Sequence, residues 1–314
     1  MSNAAYAGRI LQEVKKQVVG KDQTLGLILC AILSGGHVLI DDIPGVGKTT
    51  MAVAFERAMG LSGQRMQFTP DVLPSDILGF SVYDKSTGRM NFREGAVFCN
   101  LFLADEINRT SPKTQAALLE VMEEHQVSVD GETRRLPMPF CVLATQNPTG
   151  SVGTQKLPES EIDRFLICVS MGYPTAEEER EILKRKNQST GSIQRVADQE
   201  TILRMQKEVS EVFVHDAVYD YMVRLVQATR DNPYLELGGS PRATVALMQM
   251  SMAYAYLSGR NYVLPEDTAA VFIPVMNHRM IRSRRARLDK VPVNEILNTI
   301  LKKERRPTER KRQE

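Results

Sequence analysis

Residues 41–50 read Asp41-Asp42-Ile43-Pro44-Gly45-Val46-Gly47-Lys48-Thr49-Thr50, after an apolar run at 38–40 and before a helix-prone run at 51–59. A buried strand, a glycine-rich turn and a helix start are the setting of a phosphate-binding loop. The two glycines let the backbone turn its N–H groups toward an anion, and the first helical turn adds more donors. The pattern predicts that Lys48 reaches phosphate oxygens and that the Thr49 hydroxyl binds Mg²⁺. The alternative is a glycine-rich turn beside an ordinary surface lysine. Asp42 departs from the motif, because it stands where G-x-x-x-x-G-K-[ST] has its first glycine.

Composition limits the class of protein. The chain has 314 residues, 42% hydrophobic and 25% charged, which is typical of a globular protein of about two domains. No apolar run approaches the roughly 20 residues of a membrane span, and the N-terminus lacks a secretory pattern. The four cysteines stand apart among apolar neighbours, so we expect buried thiols. A net charge of +2 gives no general attraction to nucleic acid or membranes. We therefore expect a cytoplasmic location.

Two apolar runs end in polar residues that are typical of an active site. Residues 96–104 run into Asp105-Glu106, and residues 140–144 run into Thr145-Gln146-Asn147-Pro148. Strands of this kind are buried in parallel sheets, and ligands bind at the carboxyl ends of such strands. Two acids beside a core strand need a partner, which a Mg²⁺–phosphate group would supply. The alternatives are that the acids cap a helix and that Asn147 starts a turn.

The pattern also predicts the domain organisation. Hairpins are expected at about 78–95 and 125–138, the second because Asp130-Gly131 separates two alternating segments. After Gly172 helical periodicity dominates. We predict a core at 1–172 that carries both hairpins, a helical domain at 173–302 and a basic tail at 303–314.

Two arginines have open interpretations. Arg164 lies between Asp163 and an apolar strand, and the residues alone favour a surface salt bridge. Arg242 follows Ser240-Pro241 in the first turn of a helix, where a positive charge is unfavourable next to the helix dipole. A nearby anion would explain Arg242, and a surface ion pair is the alternative.

With these segments in this order, the chain resembles an AAA+ ATPase and, within that class, the MoxR family, over roughly residues 18–285. Several segments carry the resemblance: 42–49 is similar to Walker A, 101–109 to Walker B, 144–148 to sensor 1, 157–165 to the arginine-finger segment, 239–243 to sensor 2, and 18–21 to the segment that borders adenine.

The resemblance implies an α/β fold, with an AAA+ αβα parallel-sheet nucleotide-binding domain followed by a smaller all-helical lid domain. ATP and Mg²⁺ are the implied cofactors. Glu106 would be the general base, Asn147 would orient the attacking water, and Arg164 would act on the neighbouring subunit's site. Thr49 and Asp105 would hold the metal. The implied nucleotide-binding residues are Val19, Gly20, Gly45, Val46, Gly47, Lys48, Thr49, Thr50 and Arg242.

The implied function is hydrolysis of ATP to ADP and phosphate by a chaperone-like factor that remodels partner protein complexes. A hexameric ring and a partner protein with a von Willebrand factor A domain are implied by the family alone. Two alternatives stay open at this point: a nucleic-acid-stimulated motor and a nucleotide-dependent switch with little turnover. The near-neutral charge argues against a nucleic-acid partner.

Overall fold

The computed structural model describes residues 3–43, 45–146, 157–187 and 191–307. Short 3₁₀ turns lie at Ile107–Arg109 and Asn277–Arg279. The helices are α1 Asn3–Lys15, α2 Asp22–Leu33, α3 Lys48–Met59, α4 Pro74–Leu78, α5 Pro112–Glu124, α6 Glu159–Ile162, α7 Ala176–Asn187, α8 Gln199–Ser210, α9 Asp216–Arg230, α10 Pro241–Leu257, α11 Pro265–Met276, α12 Arg284–Leu288 and α13 Val293–Lys303. The strands are β1 Val38–Asp41, β2 Gly63–Gln67, β3 Gly79–Asp84, β4 Arg89–Glu94, β5 Leu101–Asp105, β6 Gln126–Val129, β7 Glu132–Arg135, β8 Cys141–Gln146, β9 Ile167–Val169, β10 Leu235–Leu237 and β11 Ile281–Arg282.

The first half of the chain is built on a five-stranded sheet of order β2-β5-β8-β1-β9. β2 pairs with β5, β5 with β8 and β8 with β1, all in parallel. β5 is buried throughout, as expected for a strand covered on both faces. The register places Asp41 beside Gln146, and Gln67 beside Asp105. The carboxyl ends of these strands therefore meet at one edge of the sheet, where open α/β folds bind their ligands.

Two antiparallel hairpins accompany the sheet. β3 pairs with β4, and β6 pairs with β7 across Asp130-Gly131, which both have positive φ. The Arg134 guanidinium lies 4.0 Å from the centre of the Phe92 ring, so a cation–π contact links the two hairpins.

The N-terminal helix α1 is absent from the sequence predictions. Its apolar residues Ala7, Ile10 and Val14 recur at helical spacing, and all three are fully buried. The strand expected within the apolar run at 96–104 starts only at Leu101. The preceding residues form a turn in which the Cys99 amide donates to the Val97 carbonyl.

The chain divides into two compact units, residues 1–165 with 169–206, and residues 166–168 with 207–314. In the second unit α9, α10, α11 and α13 pack around fully buried apolar side chains such as Leu225, Leu247 and Phe272. This unit is mainly helical, as predicted, but it also contains the short antiparallel pair β10–β11, which the sequence analysis does not anticipate. By compactness α7 and most of α8 group with the first unit, whereas a boundary near Gly172 stays a prediction. Within the described ranges, no helix has the length and apolar character to cross a membrane.

A buried histidine joins β8 to the end of α5. The Val142 amide donates to His37 Nδ1 at 3.0 Å, so the proton of the neutral ring lies on Nε2, which donates to the Met122 carbonyl at 2.9 Å. Desolvation by burial is the main reason that the pKa of His37 falls from 6.5 to about 4, and the neighbouring His125 lowers it further. His37 therefore acts as a neutral structural link.

Candidate functional site

The loop between β1 and α3 has the backbone of an anion-binding turn. Gly45 and Gly47 have φ values of 87° and 90°, and Gly47 occupies the N-cap position of α3. A Cβ at either glycine would meet nothing within 4 Å, so backbone conformation and not crowding requires glycine here. The first-turn N–H groups of α3 begin at Lys48, directly after this turn. The described part of the loop thus offers backbone donors to an anion.

Lys48 is held across the loop by main-chain oxygens. Its ammonium group donates to the Asp42 carbonyl at 3.0 Å and to the Ile43 carbonyl at 3.3 Å, and the residue is only 7% exposed. An ammonium group has three N–H donors, and these two bonds fix its position before any ligand arrives. Lys48 is therefore pre-positioned at the glycine turn as a point charge for phosphate.

A cavity of about 350 Å³ opens beside the loop within the first unit. Five residues that the resemblance assigns to nucleotide binding line this cavity: Val19, Gly45, Val46, Gly47 and Thr50. Gly20 lies at the edge of this region, where a Cβ would come within 1.9 Å of the Glu178 carboxylate. Val18 and Lys21, from the segment that the resemblance places beside adenine, also line the cavity. Further residues line it that the sequence analysis does not assign to the site: Gln17, Met171, Gly172, Tyr173, Pro174, Glu179 and Ile182.

The wall between β9 and α7 is tied to the segment at 17–21. The Lys21 ammonium group donates to the Tyr173 carbonyl at 3.0 Å and pairs with Glu178 at 3.2 Å. Glu178 also accepts from the Thr175 amide in a capping box at the start of α7. The Gly172-Tyr173-Pro174 turn, which the sequence analysis uses only as a domain boundary, is therefore part of the cavity.

Asp105 is fully hydrogen-bonded at the end of β5. Thr145 Oγ1 donates to Asp105 Oδ1 at 2.8 Å, and Arg65 donates to Oδ2 from Nε at 3.1 Å and from a terminal nitrogen at 2.8 Å. The carboxylate is 7% exposed, so these bonds compensate its burial. The Thr145 and Arg65 contacts were not predicted, since both residues are distant in sequence.

Glu106 has a left-handed backbone with φ of 58°. Such a conformation is uncommon for a residue with a side chain and clusters at functional sites. Its amide donates to Thr145 Oγ1 at 2.9 Å, so the same threonine contacts both acids. Its carboxylate pairs with Arg109 at 2.7 Å. A catalytic Glu106 would therefore contact the water through its other oxygen or after release of Arg109.

The donor set for a metal consists of oxygen atoms. Thr49 and Arg65 line a second cavity of about 170 Å³, and Arg65 also contacts the Asp105 carboxylate. Mg²⁺ in phosphate sites takes one or two protein oxygens and fills its shell from phosphates and water. Among the described residues, no cluster of three or more His, Cys, Asp or Glu could hold a metal ion by itself. Thr49 and Asp105 fit the protein share of such a site.

Arg164, which the resemblance assigns to the neighbouring subunit's site, forms contacts within its own chain. Arg164 pairs with Glu123 of α5 at 2.6 Å and donates to the Leu119 carbonyl at 3.0 Å. Within one chain it therefore forms the salt bridge that the residue pattern alone favours. Asn147 lies outside the described residues. Arg242 belongs to the second unit, where it is exposed in the first turn of α10 after the Ser240 cap. Its role stays a prediction.

Residues 37–167 match the family described as "ATPase family associated with various cellular activities (AAA)", and residues 227–300 match the AAA lid domain. The fold and loop thus define an ATPase of the AAA class. The chain is 42% identical to the uncharacterized protein YeaC of Bacillus subtilis, over 96% of this chain and 95% of that protein. It is 39% identical to the chaperone MoxR1 of Mycobacterium tuberculosis, over 93% of this chain and 80% of that protein.

A crystal structure of a protein assigned as an ATPase from Cytophaga hutchinsonii has a TM-score of 0.91 and 35% identity, over 98% of this chain and 96% of that chain. This chain belongs to the MoxR family of AAA+ ATPases. The predicted family, the fold class and the assignment as an ATPase are therefore confirmed.

Proposed function

We propose that the chain binds ATP with Mg²⁺ and hydrolyses ATP to ADP and phosphate, and that it uses this cycle to remodel partner protein complexes. One observation carries the proposal. The cavity of about 350 Å³ joins the glycine turn at Gly45–Gly47 to an apolar wall that includes Val18, Val19 and Ile182. A nucleotide has a charged phosphate end and a largely apolar base. The backbone donors of the glycine turn suit the phosphates, and the apolar wall suits the base.

The side chains of the loop neutralise and orient the phosphates. Two of the three N–H donors of Lys48 bond to carbonyls beside the glycine turn, and the third would bond to a β- or γ-phosphate oxygen. The loop amides add hydrogen bonds to the same oxygens. Thr49 and Asp105 would hold Mg²⁺, which neutralises charge that develops on the transferred phosphoryl group. Because Asp105 is bonded to Arg65, this arginine must move or share the carboxylate when the ion binds.

Glu106 accepts the proton of the attacking water in this proposal. In the absence of nucleotide, the Glu106 carboxylate is paired with Arg109. Asn147 orients the water, Arg242 contacts phosphate from the lid, and Arg164 completes the site of the neighbouring subunit. The last role requires head-to-tail contacts in a closed ring, for which we propose a hexamer. It also requires that Arg164 exchange Glu123 for phosphate.

The remodelling role is supported by similarity to a protein named as a chaperone. We propose a cytoplasmic ring that works with a separate protein carrying a von Willebrand factor A domain.

The test uses Glu106→Gln in the full chain, with phosphate release and ATP retention as separate readouts. Hydrolysis is expected to fall by a factor of about 10²–10⁴, the usual contribution of a general base. Retention of ATP is expected to be unchanged, because Lys48 and the loop are intact. Undiminished turnover would contradict the assignment of the base. Proteins captured by this variant with ATP, but not by a Lys48→Ala control, would identify the partner and client.

A further inference from the structure

Asp42 has a role that the phosphate-loop motif does not contain. The residue stands where the motif has a glycine, and it is only 6% exposed. Its carboxylate turns toward the connection between β9 and α7, where Oδ2 accepts from the Met171 amide at 2.5 Å and from the Gly172 amide at 2.9 Å. Oδ1 accepts from the Ile43 amide at 3.1 Å. Three backbone N–H groups therefore solvate the buried carboxylate, which explains how an acid is tolerated at this position.

The segment held by Asp42 is a wall of the candidate nucleotide cavity. Met171 and Gly172 line the cavity directly, and Tyr173 and Pro174 continue the same wall. Gly172 has φ of 61°, and this backbone conformation lets the amides of Met171 and Gly172 point at the same oxygen of Asp42. The contact spans 129 and 130 residues of sequence, so it is a tertiary link and not a local turn.

Asp42 also contacts the phosphate end of the cavity. Its carbonyl accepts from the Lys48 ammonium group at 3.0 Å. One residue thus connects Lys48, through its main chain, to Met171 and Gly172, through its side chain. A glycine would supply the carbonyl but not the carboxylate, so the motif residue would keep Lys48 in place and release the wall.

We propose that Asp42 is a positioning residue that holds the Met171–Gly172 wall at a fixed distance from the Lys48 loop and thereby sets the space for the nucleoside part of the nucleotide. The proposal rests on the nucleotide site proposed above. If Asp42 is a positioning residue, removal of its carboxylate weakens nucleotide binding. Simple electrostatics predicts the opposite, because a carboxylate near the phosphates repels them.

The test compares wild type, Asp42→Gly, Asp42→Asn and the neighbouring charge control Asp41→Asn, with ATP, ADP and inorganic triphosphate as probes in calorimetry. Asp42→Gly is expected to raise the Kd of ATP and ADP at least tenfold, about 1.4 kcal/mol. Asp42→Asn, which keeps one acceptor, is expected to have a smaller effect in the same direction. The Kd of inorganic triphosphate is expected to change less than twofold, because that probe does not touch the wall. Asp41→Asn removes a charge that also acts on Lys48 but does not bond to Met171 or Gly172, and it is expected to change the Kd of ATP, ADP and triphosphate by the same factor.

Amide hydrogen exchange gives a readout that does not depend on nucleotide. In Asp42→Gly, exchange in the peptide containing Met171 and Gly172 is expected to accelerate at least tenfold, while peptides from β5 keep wild-type rates. Tighter or unchanged ATP binding in both Asp42 variants would overturn the proposal. So would an equal loss of affinity for ATP and triphosphate, or unaltered exchange at Met171 and Gly172. If wild type binds neither ATP nor ADP, the proposed function fails, and the exchange measurement still decides whether Asp42 holds the wall. If Asp42→Gly does not fold, Asp42→Asn decides both arms.

Discussion

Replacement of His37 by glutamine tests how a buried neutral histidine makes stability depend on pH. The His37 ring bonds to the Met122 carbonyl and the Val142 amide inside the first unit. Glutamine can keep at least one of these hydrogen bonds, because its amide both donates and accepts, but it does not titrate. The variant is therefore expected to remain folded and to lose the pH dependence that His37 contributes.

The magnitude follows from the pKa of the buried ring. Burial lowers the pKa of His37 from 6.5 to about 4, a gap that corresponds to about 3 kcal/mol at 1.36 kcal/mol for each pH unit. Below pH 6.5 His37 binds a proton in the unfolded chain, whereas in the native chain it stays neutral down to a pH of about 4. His37 therefore makes its full contribution to the free energy of unfolding above pH 6.5, and this contribution is lost as the pH falls toward 4. Between pH 7.5 and 4.5, linkage gives a loss of about 2–3 kcal/mol from this residue.

The assay is urea unfolding of wild type and His37→Gln at pH values between 4.5 and 7.5. Far-UV circular dichroism is the suitable probe, since the chain has no tryptophan. Wild type is expected to lose about 2–3 kcal/mol more than the variant over this range. His125, whose pKa is also lowered by burial, is present in both proteins, so the part of its contribution that does not depend on His37 cancels. Parallel pH profiles for the two proteins would refute the assignment of His37 as a neutral buried link.

Two further predictions concern the assembled site and the cavity wall. Arg164→Ala is expected to lower ATP hydrolysis by a factor of about 10³, whereas Glu123→Gln, which removes only the intrachain partner of Arg164, should keep wild-type turnover. Mixing Arg164→Ala with Glu106→Gln subunits should recover part of the rate but not all of it, and a monomer that is as active as the assembly would exclude action on a neighbouring site. Gly20→Ala is expected to destabilise the chain in urea by more than Gly35→Ala, which has a similar positive φ but open space for its Cβ and should cost about 1 kcal/mol. The excess should disappear when Glu178→Ala is added to Gly20→Ala, and its persistence would show that Glu178 is not the group displaced.

Local segments of the site could be predicted from the sequence because short-range physics governs them. A strand, a turn with glycines at positive φ and a helix beginning at Lys48 follow from residue types within about 20 positions. The same holds for the turn between β6 and β7 and for the serine caps of α5 and α10. Each of these features depends on backbone preferences or on hydrogen bonds between close neighbours.

The partners of the charged side chains could not be predicted in this way. Arg65 reaches Asp105 only because β2 lies next to β5, and Thr145 reaches it only because β8 lies on the other side. The sequence contains these residues 40 positions apart, with no local signal that they meet. Strand order decides such contacts, and strand order depends on the packing of the whole sheet.

By itself the sequence determined that a strand, a glycine turn and a helix start follow one another at 38–50, as a phosphate site requires. It also determined that the acids at 105 and 106 end a buried strand and that the second half is mainly helical. Tertiary structure alone decided what surrounds them. It turned the Asp42 carboxylate onto Met171 and Gly172, and it paired Arg164 with Glu123 inside one chain. The physical reason is that a buried charge must find donors wherever the fold brings them, while backbone conformation is chosen by the residues beside it.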